Sequence, residues 1–140
     1  MGGVIQGKPI VPGEVEGEAL VSTEPLSFWG GYDHRTGEII DRRHPLSGAI
    51  AAGRILAVPF TRGSSTTTAV LLETVRAGTA PAAILTTGVD TFFALASFVA
   101  DALYRKPIPV IALTREDFAS LKTGERLHIG KDGSISRLGI

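Results

Sequence analysis

Thr61-Arg62-Gly63-Ser64-Ser65-Thr66-Thr67-Thr68 is the stretch whose residue types and order offer chemistry. It follows a continuous apolar run and precedes a segment with helical spacing, so it falls at a helix N-terminus. The first N–H groups of a helix have no partner within it, and the positive end of the dipole lies there. Such a turn suits an anion. Arg62 adds a fixed charge matched to a carboxylate or a phosphate. Gly63 lets the backbone approach a ligand closely. Ser and Thr are also the preferred N-caps, and starting a helix is an equally complete reading of the run. The Gly-Lys-Ser/Thr ending of a triphosphate loop is absent. A serine hydroxyl is a weak nucleophile unless activated, and no His/Asp pair stands out as a triad partner, so serine-hydrolase chemistry fits poorly.

A second stretch, Pro25-Leu26-Ser27-Phe28-Trp29-Gly30-Gly31-Tyr32-Asp33, places aromatics beside a glycine pair. It reads either as an aromatic cluster closing one end of the core or as a loop whose Gly30 and Gly31 amides face a ligand. Asp33 closes this stretch, and His44 sits in Arg42-Arg43-His44-Pro45-Leu46. A lone histidine in a polar turn is more often structural than an acid or base. His34 and His128 are far from it in sequence, and no helical ligand pair appears, so metal binding by this chain has little support.

The elements that must position these residues follow from patterning. Residues 14–21 mix charged and apolar positions out of strict alternation, which predicts a strand with a bulge or irregularity near Gly17. Residues 33–37 form a turn cluster leading into an extended Glu38-Ile39-Ile40-Asp41. Residues 54–60 predict a buried strand. Thr66–Ala77 reads as a helix stopped by Gly78. Residues 82–86 read as a buried strand. Thr91–Tyr104 is apolar on most of its circumference, which predicts a helix packed on more than one side. Residues 108–112 predict a further strand, which Pro107 and Pro109 put at an edge or limit in its pairing. Residues 115–121 read as a short helix with Thr114 as N-cap, and residues 125–138 as a hairpin around Lys131-Asp132-Gly133. The fold class is α/β: a β-rich N-terminal half, a βαβαβ unit with a partly parallel sheet, and a C-terminal hairpin.

The 140 residues suit a single domain, 1–140, and roughly two-thirds of the unfolded surface is buried at this size. Lys plus Arg and Asp plus Glu number 14 each, so no basic surface for nucleic acid is expected. There is no cysteine, which excludes disulfides, thiolate metal sites and a self-contained iron–sulfur cluster. The longest apolar segment, residues 91–100, is too short for a membrane span, and the start shows no targeting pattern. A cytoplasmic protein without a membrane or nucleic-acid partner is expected. Charged residues are only 20%, below the usual share of about 25%, which hints at surface covered by a partner.

The series Gly17-Glu18-Ala19-Leu20-Val21, Pro25-Leu26-Ser27-Phe28-Trp29-Gly30-Gly31, Asp33 with Thr36-Gly37, His44-Pro45-Leu46, Gly53-Arg54-Ile55-Leu56, Arg62-Gly63-Ser64-Ser65 and Ala80-Pro81-Ala82-Ala83-Ile84 resembles the small, swivelling domain of the aconitase X family. The resemblance runs in order from about Gly13 to Ile111. It implies a swivelling β/β/α domain that closes over an active site on a large subunit or domain. It also implies a dehydratase, a hydro-lyase acting on cis-3-hydroxy-L-proline or on mevalonate 5-phosphate, of which the hydroxyproline is favoured. The iron–sulfur cluster is then held by cysteines of the large partner, in a heterodimer or higher heteromer, and none is bound by this chain. By the same resemblance Ser64 is the proton acceptor. Arg62, Gly63, Ser65, Gly30 and Gly31 are then expected to bind substrate, with Asp33 and His44 as further candidates. The uncharged surface should surround Gly30, Gly31 and Ser64, where the partner closes.

Two departures bear on the substrate. Thr66-Thr67-Thr68 replaces the smaller residues common in the family, and Gly88-Val89-Asp90-Thr91-Phe92-Phe93 departs from the usual Pro-Asp-Pro run. Two other classes remain open. A phosphohistidine carrier would use His44, although the usual Gly-Gly and Ser before the histidine are missing. A non-catalytic binding module would use Trp29 and the glycine loop.

Overall fold

The computed structural model describes residues 4–62 and 66–139. Its strands are β1 (Val4–Gln6), β2 (Lys8–Val11), β3 (Val15–Val21), β4 (Ile55–Ala57), β5 (Ala83–Thr87), β6 (Val110–Leu113), β7 (Arg126–Ile129) and β8 (Ser134–Gly139). They hydrogen-bond in the order β1-β8-β7-β3-β4-β5-β6-β2. The helices are a short turn α1 (Phe28–Gly31), α2 (Thr66–Ala77), α3 (Thr91–Tyr104) and α4 (Arg115–Ala119).

β3 joins two kinds of sheet. Its first half pairs antiparallel with β7, from Val15↔Ile129 to Glu18↔Arg126. Its second half pairs parallel with β4, from Ala19↔Ile55 to Val21↔Ala57. No irregularity falls at Gly17, which pairs in regular register with Leu127, and the change of partner comes between Glu18 and Ala19. β4, β5 and β6 continue the parallel run. Right-handed crossovers between strands in spatial order place α2 and α3 on one face, where they pack against each other.

Strand alternation divides the core accordingly. Leu20, Leu56, Val58, Ile84 and Val110 face the helical layer with Phe28, Leu71 and Phe93. Ala19, Ile55, Ala57, Leu85 and Ile111 face Phe118 and the antiparallel layer of Ile5, Leu127, Ile129 and Ile135. The result is a β/β/α arrangement. Gly7 lies between β1 and β2, where the chain passes from one layer to the other. A Cβ there would overlap the Ile111 and Leu113 side chains.

Several sequence expectations need correction. β6 is not an edge strand: β2 covers it, with Lys8↔Ala112 and Pro9↔Ile111. The prolines only delay its start to Val110, because Ile108 is engaged by Ser97 Oγ. β4 ends at Ala57, since Pro59 has no N–H to continue the ladder. Residues 38–41 make isolated bridges, Tyr32↔Ile39 and Glu38↔Ile50, in place of a strand. α3 packs on one side only. Phe93, Ala94, Ala96, Ser97 and Ala100 are buried, whereas Leu95, Phe98 and Leu103 are 53–63% exposed. Its apolar outer positions find no cover within the described chain. α2, α3, the Thr114 cap of α4 and the C-terminal hairpin lie where patterning put them.

Candidate active site

The C-terminal ends of parallel strands are where open α/β sheets bind ligands. Three loops leave that edge here, after β3, β4 and β5, and hydrogen bonds tie them together. The Arg62 N–H donates to Leu26 O at 3.0 Å, and Leu26 and Thr61 form a parallel bridge. This sets the Phe-Trp-Gly-Gly loop beside the Arg62 loop. On the other side, the Thr61 N–H and hydroxyl both donate to Asp90 Oδ2, at 2.7 and 2.9 Å.

Arg62 is exposed, and its side chain makes no ion pair with a described residue. Gly63, Ser64 and Ser65 lie outside the described residues. In sequence they fall between Arg62 and Thr66, the first residue of α2.

The loop after β3 separates the two readings of its aromatics. Phe28 is fully buried, stacked on Tyr32 with centroids 4.7 Å apart and edge-on to Phe93 at 5.6 Å. Burial pushes the Tyr32 phenol above its ordinary range, and its hydroxyl donates to Thr79 O at 2.7 Å. Trp29 instead stands 67% exposed. The reversal is made at Gly30, with φ +80°, where a Cβ would meet nothing within 4 Å. Gly30 is exposed and Gly31 buried, and Gly31 O accepts from Ile40 N at 2.9 Å.

Trp29, His34, Thr66, Ala69, Val70 and Glu73 line a groove of about 420 Å³ beside the start of α2. Glu73 at its wall is paired with Arg76. The Arg76 hydrogen bond, aided by His34, holds the Glu73 carboxyl below its usual range.

Asp33 and His44 take other parts. Asp33 Oδ1 accepts the Arg35 N–H at 2.9 Å in a turn, and this bond holds the carboxyl below its ordinary range. His44 is 7% exposed. Its Nδ1 accepts from Leu46 N at 3.1 Å, which leaves the proton on Nε2 to face Glu24 O at 3.4 Å. Both ring nitrogens are thus turned to backbone, and the ring braces the segment leading into Leu26. Sequence reading gave no role in the site to Asp90, nor to Thr61, although Thr61 opens the candidate stretch. Asp90 was legible as an N-cap before Thr91, but its bond to a residue 29 positions earlier carries no local signal.

An iron–sulfur centre does not fit this chain's residues. The sequence has no cysteine, and among the described residues no three His, Asp or Glu side chains gather into a ligand set. No described helix is long and apolar enough to cross a membrane.

Comparison with known proteins agrees with this geometry. Residues 4–137 match the family described as the aconitase X swivel domain. The chain is 46% identical over 110 residues to a cis-3-hydroxy-L-proline dehydratase of Pseudomonas aeruginosa, covering 79% of this chain and 19% of that protein. It is 36% identical over 128 residues to the phosphomevalonate dehydratase small subunit of Thermococcus gammatolerans, covering 91% of this chain and 92% of that one. The crystal structure of Thermococcus kodakaraensis aconitase X in its holo-form superposes with a TM-score of 0.86 at 33% identity, over 97% of this chain and 98% of that chain. The chain thus spans about a fifth of the length of the hydroxyproline dehydratases it matches and nearly all of the archaeal small subunit. On this match, which runs through all three tied loops, the chain belongs to the aconitase X swivel-domain family.

Proposed function

We propose that this chain is the small, swivelling component of a heteromeric aconitase X-type hydro-lyase. In this reading it dehydrates a small hydroxy-carboxylate, cis-3-hydroxy-L-proline first, with Ser64 as proton acceptor. The observation that carries the reading is the tie of Leu26, Thr61 and Arg62 at the C-terminal edge of the parallel strands, directly before α2.

The chemistry follows from the residues. Elimination of water takes a proton from the carbon next to the one bearing the hydroxyl. The C–H electron pair becomes the new double bond, and the C–O bond breaks with its own pair on the departing hydroxyl, for which a Lewis acid on the large subunit would be the acceptor. Ser64 receives the proton. Its alkoxide is a strong base when the N-terminus of α2 and Arg62 hold its charge in a dry site. Arg62 also suits the substrate carboxylate. Gly30, Gly31, Gly63 and Ser65 contribute close backbone approach and hydrogen bonds. The iron–sulfur centre belongs, in this reading, to a cysteine-bearing large subunit, and the exposed Trp29 and Arg62 become covered when that subunit closes.

Mevalonate 5-phosphate is the second reading. It is favoured by the near full-length match to a separate archaeal small subunit. A phosphohistidine carrier is disfavoured by the burial of His44 and the engagement of both its ring nitrogens.

The test is co-expression with a cysteine-bearing large subunit and assay of both substrates. Ser64→Ala is expected to lower kcat by about 10²–10⁴-fold while the subunits still associate. Unchanged turnover in that complex removes Ser64 as the base. Turnover by this chain alone removes the subunit assignment.

A further inference from the structure

The β5–α3 turn holds a buried carboxylate with more partners than a helix cap requires. Asp90 is 8% exposed. Its Oδ1 accepts the Phe92 and Phe93 N–H groups at 3.0 and 3.2 Å, the ordinary work of an N-cap. Its Oδ2 accepts both the N–H and the hydroxyl of Thr61. All four partners are donors. A carboxylate offers an acceptor on each oxygen; an asparagine has one acceptor oxygen and a donating amide. A helix cap alone would be served equally by Asn, Ser or Thr, so the Thr61 contact is what requires aspartate here.

Thr61 directly precedes Arg62, and the Arg62 N–H is held by Leu26 O. The backbone at this point is therefore gripped from the β3 loop on one side and the β5 loop on the other. We propose that Asp90 is a positioning residue for the anion site: by gripping Thr61 it fixes where Arg62 stands relative to the start of α2. The role rests on the dehydratase reading above. It touches no substrate atom. Its effect is to hold the cation in place before substrate arrives, and a displacement of about 1 Å in such a group costs on the order of 10²-fold in rate.

The experiment compares Asp90→Asn, Thr61→Val and Thr61→Ser in the complex with the large subunit. In Asp90→Asn the side-chain oxygen still caps α3, while the amide meets the Thr61 N–H donor to donor. Amide exchange at Thr61 in the full chain should accelerate, and exchange along α3 should stay slow. kcat/KM for dehydration should fall about 10²-fold, chiefly through KM, because Arg62 holds the substrate anion. A variant that merely unfolds part of the complex would lower apparent kcat and leave KM alone. Thr61→Val should show a smaller loss in the same direction, and Thr61→Ser should restore it. The double variant should be no worse than Asp90→Asn alone, since both substitutions remove one contact.

Unchanged Thr61 exchange in Asp90→Asn overturns the grip itself. Faster exchange with unaltered KM and kcat overturns the positioning role. A wild-type complex that dehydrates neither substrate overturns the functional reading, and the positioning role with it.

Discussion

α2 and α3 enter the fold in the same way, each leaving the C-terminal end of a parallel strand and packing beside the other. Their N-termini are equipped in opposite ways. α3 meets a carboxylate from its own chain: Asp90 accepts two of its first N–H groups. α2 has no acidic residue in its first turn, and the four residues before it, Arg62-Gly63-Ser64-Ser65, include none. A helix N-terminus carries a partial positive charge worth about 0.3–1 kcal/mol to a nearby anion. At α3 that interaction is used for stability. At α2 an arginine is added to it, which makes sense when the anion arrives from outside. Asp90 joins the two, because the anion of one entrance grips the loop of the other.

The largest effect is expected from emptying the α3 entrance. Asp90→Ala removes a cap and leaves the buried Thr61 N–H and hydroxyl without an acceptor. The expected loss is about 2–4 kcal/mol of stability, read as a lower denaturant midpoint at unchanged slope. A loss below about 0.5 kcal/mol would show that the α3 entrance does not depend on its own anion.

The converse is to fill the α2 entrance. Ser65→Asp places a carboxylate before α2 much as Asp90 stands before α3. Stability should hold or rise by up to about 1 kcal/mol. Dehydration by the complex should fall about 10²-fold or more, because a carboxylate then faces the anionic substrate. Unimpaired turnover in Ser65→Asp would mean that substrate binds elsewhere.

The contrast explains what could be read from sequence. α2 and α3 were legible because their apolar spacing, Gly78 and the flanking Asp90 are local signals. The Arg62 loop was legible because a strand and a helix bracket it. The tie between the loops was not legible, since Thr61 and Asp90, like Leu26 and Arg62, meet only once the strands are ordered. β1 and β2 were missed for a related reason: at three and four residues they carry too little pattern, and only their pairing with β8 and β6 makes them strands. The breadth of the apolar surface on α3 was read correctly, but composition alone assigned it to packing. The exposure of Leu95 and Phe98 shows that an apolar helix position need not be covered by its own chain.

A finer test uses the neighbouring residues Phe28 and Trp29. Phe28 anchors the loop after β3 from beneath, against Phe93 in the first turn of α3. Trp29 lines the groove at α2. Trp29→Ala should change the stability of the chain by no more than about 0.5 kcal/mol, as expected for an exposed side chain. It should nevertheless raise KM in the complex several-fold if the α2 entrance is the one that receives substrate. Equal KM values would restrict the site to the loop itself.

The smallest effect concerns a carboxylate that uses the same device as Asp90 at a less buried position, Asp33. Asp33 accepts the Arg35 N–H, and its carboxyl lies below the ordinary range, chiefly through that bond. A carboxyl that is lower in the folded chain than in the unfolded one adds stability while ionised. That increment is fully present above the unfolded value of about 3.9. It disappears as pH falls through the lower folded value, where the folded state also takes up the proton. The stability difference between wild type and Asp33→Asn should therefore be constant from neutral pH down to about 5 and shrink below about 4. A difference that does not change across this window would show that the Asp33 charge contributes nothing. A carboxylate on backbone N–H groups would then stabilise this fold only where, as at Asp90, it is buried.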